Sequence, residues 1–438
     1  MKRALIITYY WPPSGGSGVQ RWLKFSKYLR EFGYEPVIYT PENPEYMSKD
    51  HTLVTDIPEG IEVIKRKIWE PYGFYRFFSG KRGRNISPGF INTGGSGRDG
   101  APIEERLSLY IRSNLFFPDP KRWWIKPSVR FLKKYLKKNS IDIIVSTGPP
   151  HSMHLIAYEL SKTTATPWIA DFRDPWTQMY NFKYMKYSGR MRRRHEQMER
   201  KIVSSADAVI TVTDTICREF RELGPKRVYV ITNGFDKEDF LSPPLPVEEF
   251  FTITFTGLFV KTQNPSILWE YLGEKAKRDR GFAKDLKIRL IGNIDGSVLT
   301  DITNYGVAQN LAMMGYLPHG EVTEWQRRAQ ILLLSGGSEL EAKGIMTGKF
   351  FEYLAAKRPI LAFGIKGGDM DIALEQSGGG EMFGYNDREG VAGWIDCAYK
   401  EYKSEGSIPF TGGDIEKYSR RKLASKMAIV MDELLDKR

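Results

Sequence analysis

The sequence is poor in the residues that build disulfide frameworks, metal centres and membrane spans. It contains two cysteines and five histidines among 438 residues. Cys217 and Cys397 stand far apart and have no metal-ligand neighbours, which argues against a disulfide framework and is compatible with a reducing cytosol. No run of about 18 apolar residues suggests a membrane-spanning helix. The apolar run after Met1 stops too early for a signal peptide, so we interpret it as a first strand.

Several catalytic signatures are also missing. The chain has no GxSxG, HExxH or P-loop sequence, which argues against the hydrolases, zinc proteases and P-loop NTPases that those motifs mark. Its glycine loop does not have the GxGxxG spacing, so a nicotinamide or flavin cofactor is weakly supported. The DxD pair of Asp369 and Asp371 follows two glycines and is interpreted as a loop and helix start. We therefore predict neither a metal site nor a resident cofactor.

The length predicts more than one domain. A chain of 438 residues is too long for one hydrophobic core. The segment LSPPLP at residues 241–246 can form neither a helix nor a central strand and marks a boundary. We expect a first domain over residues 1–240 and a second over 241–414, with an amphipathic helix in 415–438 that packs back on the first. Residues 80–100 are rich in glycine and basic residues, and they are expected to form a mobile loop.

Short apolar runs alternate with helical stretches in both halves of the chain. In the first half, strands are predicted at residues 4–9, 35–40, 141–147, 168–170, 208–212 and 228–231. In the second half, they are predicted at residues 251–255, 287–291, 311–314, 331–334 and 359–363. This alternation predicts an α/β protein with two facing Rossmann-like domains, each built on a doubly wound parallel sheet.

Most of the net charge of +12 lies in two segments. Residues 117–138 hold eight Lys or Arg against Asp119, and residues 181–203 hold eight against Glu196 and Glu199. Both segments also carry aromatic residues. A basic face with aromatic anchors suits an anionic bilayer, where each Lys or Arg contributes about 1 kcal/mol. A solvated helix face is the alternative explanation, and nucleic acid binding is a weaker one.

Polar residues that follow the predicted strands are the candidates for a site, because ligands of open α/β sheets bind beyond the carboxyl ends of the strands. After the first strand, four residues form a glycine loop that is either an anion cradle or a tight turn: Gly15, Gly16, Ser17 and Gly18. His151 follows a later strand and is a candidate general base or hydroxyl partner, or simply a helix cap.

The next strand of the first half is followed by a charged cluster. Asp171, Arg173 and Asp174 place two carboxylates around one guanidinium. Such a cluster is either a structural set of ion pairs or a site that binds substrate hydroxyls. The sequence leaves both interpretations open.

In the second half, the stretch GKFFEYLAAKRPILAF at residues 348–363 combines a helix start with a following buried strand. Gly348 would let a ligand approach the backbone, Lys349 offers a cation, and Glu352 lies one helical turn further on. This combination can hold a phosphate and a ribose together. An amphipathic core helix that leads into a core strand explains the apolar residues equally well.

At this point the chain resembles retaining glycosyltransferases of family 4, which have the GT-B architecture of two facing Rossmann-like domains. The resemblance covers nearly all of the chain. It rests on fragments in a shared order: YYWPPSGGSGVQRWLKFSKYLREFGYEPVIYTP, ADAVITVTDTICREF, VITNGFDKEDF, GYLPHGEVTEWQRRAQILLL and GKFFEYLAAKRPILAF.

The resemblance implies sugar transfer from a nucleotide diphosphate to an acceptor hydroxyl, with retention and without an obligatory metal. On the donor side, it implies that Glu352 binds the ribose and that Gly348, with Lys349 nearby, approaches the diphosphate. Lys261, in the loop after Gly257, would stabilise the leaving phosphate.

On the other side, the resemblance implies that Gly16 and its neighbours lie against the diphosphate and the acceptor. His151 or Asp171 would orient the acceptor hydroxyl.

One position departs from the family pattern. The family commonly has a glutamate eight positions before the one that binds ribose, and here that position is Gly344. Glu341 is close in sequence, and Lys349 could meet the phosphates instead.

The sequence therefore predicts a UDP- or GDP-sugar transferase that acts on a lipid-linked or polysaccharide acceptor. We expect it in the cytoplasm, peripheral at the inner face of the cell membrane. The alternatives are a nucleotide-sugar epimerase of the same fold and a catalytically silent protein that binds nucleotide sugars or nucleic acid.

Overall fold

The computed structural model describes residues 1–46, 48–70, 110, 113–179, 182, 185–240, 243 and 246–436. The loop expected at residues 80–100 lies outside this set, as do four of the six residues of the LSPPLP segment. The chain divides into two compact units. The first contains residues 1–232 and 420–438, and the second contains residues 233–419. The sequence analysis had placed the two divisions after residues 240 and 414.

The first unit is built on a seven-stranded sheet in which every neighbouring pair is parallel. The strand order is β3-β2-β1-β4-β5-β6-β7. The strands are β1 (Lys2–Ile7), β2 (Tyr34–Pro41), β3 (Glu62–Arg66), β4 (Ile143–Gly148), β5 (Trp168–Phe172), β6 (Ala208–Thr211) and β7 (Val228–Val230). The order reverses beside β1, which pairs with both β2 and β4 and so places its carboxyl end at a topological switch point.

Helices cover both faces of this sheet. In β1, Ala4 and Ile6 belong to one hydrophobic cluster while Leu5 and Ile7 belong to the other, as the two-residue period of a strand requires. The first helix packs on one face and the next four on the other. These helices are α1 (Ser17–Tyr28), α2 (Arg122–Lys138), α3 (Ser152–Ser161), α4 (Gly189–Ser205) and α5 (Asp214–Arg221).

The second unit repeats this design with a six-stranded parallel sheet in the order β10-β9-β8-β11-β12-β13. The strands are β8 (Phe251–Phe259), β9 (Leu286–Ile294), β10 (Leu311–Gly315), β11 (Ile331–Ser335), β12 (Ile360–Phe363) and β13 (Gly380–Phe383). The helices are α6 (Ser266–Arg278), α7 (Arg280–Asp285), α8 (Gly296–Asn304), α9 (His319–Arg328), α10 (Gly348–Ala356), α11 (Asp369–Ser377) and α12 (Arg388–Glu405).

The last helix, α13 (Arg420–Leu435), belongs to the first unit. It packs beside α1, and its apolar face joins the hydrophobic cluster that contains Ala4 and Ile6. Met427 and Met431 are fully buried there. The sequence predicts that this helix begins at residue 415. In the structure, residues 416–418 form a separate 3-10 turn and the helix begins at Arg420.

The fold class predicted from the sequence is confirmed: the protein has two Rossmann-like domains with parallel sheets. Each predicted strand forms, with ends that shift by a few residues. The sequence analysis missed the edge strands β3 and β13, because β3 is only partly buried and β13 begins with a glycine. The DxD pair lies at the start of α11, as expected. In the described part of the chain, no helix has the length and apolar character needed to cross a bilayer.

Candidate functional site

In the second unit, the start of α10 is open to a ligand. No side chain caps this helix, since Thr347 makes no capping hydrogen bond. No atom lies within 4 Å of the place where a Cβ on Gly348 would stand. The first N–H groups of an α-helix have no partners inside the helix, and the helix dipole favours an anion there. The start of α10 therefore has the properties of an anion-binding site.

Lys349 lies beside this helix start. Its Nζ is 3.3 Å from the carbonyl oxygen of Leu258, to which it donates, and 4.1 Å from the centroid of the Phe255 ring. Burial lowers the pKa of the Lys349 amine to about 8, although the Glu352 carboxylate acts in the opposite direction. At neutral pH the amine is thus charged, poorly hydrated and close to the end of β8.

Glu352 stands one turn further along α10 and is held by a neighbouring helix. The Nε2 of Gln326 in α9 donates to Glu352 Oε2 at 3.3 Å and to Thr256 Oγ1 at 3.1 Å. Tyr353 accepts a hydrogen bond of 3.0 Å from the Thr256 N–H and is fully buried. These contacts fix the half-buried Glu352 carboxylate on the side of α10 that faces the end of β8.

Two paired glycines, Gly257 and Gly292, allow the backbones of β8 and β9 to approach closely near this carboxylate. The two residues are paired across β8 and β9, and a Cβ on Gly292 would lie 2.3 Å from the Gly257 carbonyl oxygen. Both have positive φ angles, of 98° and 114°, which glycine adopts without strain. A Cβ on Gly257 would lie 3.4 Å from Lys349 Cδ. Position 292 therefore requires glycine, because any Cβ would collide with the Gly257 backbone. Glycine at 257 leaves room for the Lys349 side chain.

The structure therefore brings Gly257, Gly348, Lys349 and Glu352 together at the carboxyl edge of the second sheet. Lys261 lies two residues beyond β8 and is exposed. Its charge acts on Asp295, the residue after β9, whose pKa is held below the usual value chiefly by hydrogen bonds from Ser297. No described contact links Lys261 to Lys349.

The sequence analysis missed Gln326. Thr323 and Gln326 lie three residues apart on α9, and their burial, which the sequence does not show, depends on how this helix packs. Glu341, the alternative to the absent family glutamate, lies in a short 3-10 turn, Leu340–Ala342. Gly344 is buried four residues before α10.

In the first unit, the predicted glycine loop leads into α1. Gly16 has a φ of 85° and open space around it, and it precedes the helix without a side-chain cap. Ser17 is the first residue of α1, and Gly15 donates its N–H to the Ser48 carbonyl oxygen. Gly18 is held tightly, because a Cβ there would lie 3.0 Å from Arg173 Nη1.

Arg173 joins this loop to the segment after β4. It is nearly buried, and its guanidinium donates to the carbonyl oxygens of Gly18, Gly148 and Pro149. It thus ties the first turn of α1 to the end of β4. Asp174, by contrast, is exposed.

His151 immediately precedes α3, and its ring stacks on Trp176 with 4.3 Å between centroids. Burial lowers its pKa well below the usual value, and the neighbouring cationic groups act in the same direction. The ring is therefore neutral at physiological pH. Its Nδ1 has no hydrogen-bond partner among the described residues. A neutral imidazole with an unpaired nitrogen can serve a hydroxyl as donor or acceptor.

Asp171 is fully buried in β5. Arg21 donates to both of its carboxylate oxygens, with distances of 3.1 Å from Nε and 2.9 Å from Nη2. Trp22 and Thr147 add hydrogen bonds of 2.7 and 3.0 Å. Burial alone would raise the pKa of Asp171, but the charge and hydrogen bonds of Arg21 outweigh it and hold the pKa below its usual value. The geometry supports a structural ion pair, and a role in orienting the acceptor stays a prediction.

The N-terminus of α3, the helix after His151, is capped by the side chain of Asp119. Asp119 accepts from the backbone N–H and from the hydroxyl of Ser152, each at 2.8 Å, and so caps α3. In the sequence, Asp119 stands out only as the one acidic residue of the basic segment 117–138. Among the described residues, no group of three or more His, Cys, Asp or Glu could hold a metal ion.

Solved structures of similar fold include glycosyltransferases and a putative UDP-N-acetylglucosamine 2-epimerase from Listeria monocytogenes, which has a TM-score of 0.54 and 10% identity over 100% of this chain and 98% of that one. Sucrose-phosphate synthase from Thermosynechococcus elongatus matches with a TM-score of 0.59 and 13% identity over 100% of both chains. WaaG, a glycosyltransferase involved in lipopolysaccharide biosynthesis, matches with a TM-score of 0.55 and 13% identity over 98% of this chain and 99% of WaaG. Anabaena HepE, solved in complex with UDP-glucose, matches with a TM-score of 0.55 and 12% identity over 100% of this chain and 99% of HepE.

A family model matches part of the sequence, about a third of its length. Residues 93–239 match the model of Glycosyltransferase Family 4, which confirms the resemblance found from the sequence motifs. Over these residues the chain is similar to glycosyltransferases of family 4, and its fold is the one that the solved structures share. No curated protein matches the sequence.

The buried ion pair of the first unit gives a testable prediction. Replacement of Asp171 by Asn would leave Arg21 buried without a counterion, and loss of one partner of such a pair costs about 3–5 kcal/mol of unfolding free energy. Urea denaturation at pH 7 should show this loss.

The pH dependence of stability provides the control. Because the folded-state pKa of Asp171 is depressed, the pair stabilises the protein above the unfolded pKa of about 3.9 and is lost as pH falls through the folded value. The difference between wild type and Asp171→Asn should therefore shrink in acid. Equal stability at pH 7 would contradict the structural role. Asp174→Asn, at an exposed residue, should change little.

Proposed function

We propose that the protein transfers a sugar, with retention of configuration, from a nucleotide-diphosphate donor to a membrane-associated acceptor hydroxyl. The observation that carries the donor half of the proposal is the uncapped start of α10, with Lys349 and Glu352 on its first two turns. The helix start and the Lys349 ammonium form an anion site for the diphosphate. Glu352, held by Gln326, accepts hydrogen bonds from ribose hydroxyls.

Transfer without a metal requires other positive charge at the leaving diphosphate. The helix start and the Lys349 amine supply it from the second unit, and Lys261 extends it beyond the end of β8. Preorganised charges of this kind act most strongly where negative charge develops in the transition state. The UDP-glucose bound to HepE, a protein of similar fold, supports a UDP-sugar as the first donor to test.

The acceptor half of the proposal rests on the outer face of the first unit. Helices α2, α3 and α4 cover the same side of the sheet, and α2 and α4 expose basic residues on their outer faces. Trp123 of α2 and Trp69 are 38% and 58% exposed and pack edge to face. Leu115 is 60% exposed nearby in sequence, and Arg122 donates to its carbonyl oxygen. We call this surface the basic-aromatic face.

The basic-aromatic face fits an anionic bilayer, because exposed tryptophans suit the interface and the basic residues attract acidic headgroups. We therefore place the enzyme at the cytoplasmic face of a membrane, where it acts on a lipid-linked or polysaccharide acceptor. WaaG, of similar fold, is involved in lipopolysaccharide biosynthesis, which supports an envelope acceptor. In the first unit, His151 is the group that we assign to the acceptor hydroxyl.

Replacement of Glu352 by Ala tests the donor site. If its carboxylate binds ribose, the loss of charge-assisted hydrogen bonds should weaken UDP or GDP binding by about 1.5–3 kcal/mol, or roughly ten- to a hundredfold. Isothermal titration calorimetry measures this. Glu375→Ala, at an exposed glutamate of α11, is the matched control. Unchanged nucleotide affinity in Glu352→Ala would argue against this site.

The pKa of Lys349 gives a pH test of the same site. The ammonium form attracts the diphosphate, so affinity should fall as pH rises through about 8. The phosphates lose their last proton near pH 6 and stay fully charged over this range. A titration between pH 7 and 9 should show a loss of severalfold in wild type and a flat profile in Lys349→Met. A sloping profile in that variant would assign the effect to another group.

The membrane assignment can be tested with liposomes. Wild type should co-sediment with vesicles that contain phosphatidylserine at low salt. The double variant Arg122→Gln, Lys126→Gln should bind about thirtyfold more weakly, since each of the two charges contributes about 1 kcal/mol. Lys400→Gln, on the exposed surface of α12, should bind like wild type. Failure of the wild-type protein to bind anionic vesicles would rule the membrane assignment out.

A further inference from the structure

The second unit contains a cavity away from the proposed donor site. Its volume is about 830 Å³, and its described lining residues all belong to this unit. The cavity lies at the carboxyl end of α10, next to the start of β12. The nine residues of α10 separate it from Gly348, a distance of roughly 13 Å along the helix. It is therefore on the opposite edge of the sheet from Lys349 and Glu352.

Arg358, which lines this cavity, is a buried cation without a counterion. It is 8% exposed. Its Nη2 donates to the Gln330 side chain at 3.3 Å and to the Ile408 carbonyl oxygen at 3.0 Å, while its Nε has no partner. Among the described residues, no carboxylate forms an ion pair with it. Burial lowers the pKa of Arg358 to about 10, so the guanidinium stays charged at neutral pH. A buried charge of this kind calls for an anion.

The neighbouring Lys357 adds a second cation in a strained position. It ends α10 with a φ of 54° and is the one non-glycine residue with positive φ in the described chain. At the ends of α11 and α12 the same left-handed position is held by Gly378 and Gly406, as is usual. The Lys357 side chain is exposed and forms no ion pair with any described residue. Such strain at a residue that lines a cavity is a reason to test for function.

The remaining lining supplies charge and aromatic surface. Lys237 is paired with Glu416 at 2.5 Å, and the Asp414 carboxylate accepts from the Glu416 backbone N–H. With Arg327, the described lining has four basic and two acidic side chains. Three phenylalanines complete the wall: Phe235, Phe240 and Phe410. A surplus of two positive charges matches a phosphomonoester, which carries about −1.5 to −2 at pH 7.

We infer that this cavity is a second binding site, for a small organic phosphate whose phosphate group meets Arg358 and Lys357 and whose body packs on the phenylalanines. Its volume lies within the range of about 300–1,000 Å³ that is usual for small-molecule sites. The site is distinct from the proposed donor site and does not depend on it. Its ligand is bound by charge neutralisation of Arg358 and by apolar contact.

The test uses phenyl phosphate, a phosphomonoester that has an aromatic body and no nucleotide. Titration of the full chain by calorimetry should show saturable binding, and thermal unfolding should shift upward with concentration. Inorganic phosphate should bind more weakly, since it lacks the aromatic body. In Lys357→Gly, the affinity for phenyl phosphate should fall about tenfold, while the unfolding temperature without ligand should rise, because glycine relieves the strain.

Two further variants make the result decisive. Lys357→Asn also removes the cation but keeps a residue that tolerates the left-handed conformation, so it should lose binding as well. Lys349→Met should retain wild-type affinity for phenyl phosphate. The inference is overturned if phenyl phosphate does not bind at millimolar concentration, if both Lys357 variants bind like wild type, or if Lys349→Met abolishes binding. A failure of UDP to bind would instead count against the proposed function alone.

Discussion

Each sheet of this protein is parallel throughout, and a parallel sheet has to be covered on both faces. That constraint sets the direction of the connections between strands, because a chain that leaves one edge must cross a face and return to the other. Helices such as α1 and α10 therefore begin at the carboxyl edge and end at the amino edge. In each unit the anion-attracting helix starts lie at the carboxyl edge of that unit's own sheet, beside Gly16 in the first unit and Gly348 in the second, and the helix ends lie at the amino edge. The proposed donor site and the phosphate cavity are both consequences of this arrangement.

The sequence was most informative where chemistry follows from neighbours in the chain. Gly348, Lys349 and Glu352 lie within two turns of one helix, so a helical period alone predicted that they share a site. The buried strands were equally clear, because their apolar runs are short and bounded by polar residues. The edge strands β3 and β13 were missed because an edge strand is covered less and needs no such run. Gln326 was missed because its contact with Glu352 depends on how α9 packs against α10.

Other side chains could not be assigned from the sequence because their partners lie far away along the chain. The charged cluster of Asp171, Arg173 and Asp174 looked like one unit in sequence, yet the structure gives its members three environments. Asp171 pairs with Arg21, 150 residues away. Arg173 donates to carbonyl oxygens at the start of α1 and the end of β4, and Asp174 is exposed. Arg358, by contrast, belongs to no charged cluster in the sequence, yet its guanidinium is buried. Nothing in the sequence LAAKRPILAF shows that its guanidinium is buried, since burial comes from segments some fifty residues apart.

The placement of α13 has a consequence for how the protein is made. Residues 233–419 form the second unit, whereas the core of the first unit is closed by Met427 and Met431 near the end of the chain. During synthesis, every residue of the second unit has left the ribosome before the first unit can complete its core. The second unit is therefore the first of the two able to finish folding. Until α13 arrives, the apolar side of α1 and of the strands beneath it stays incompletely covered.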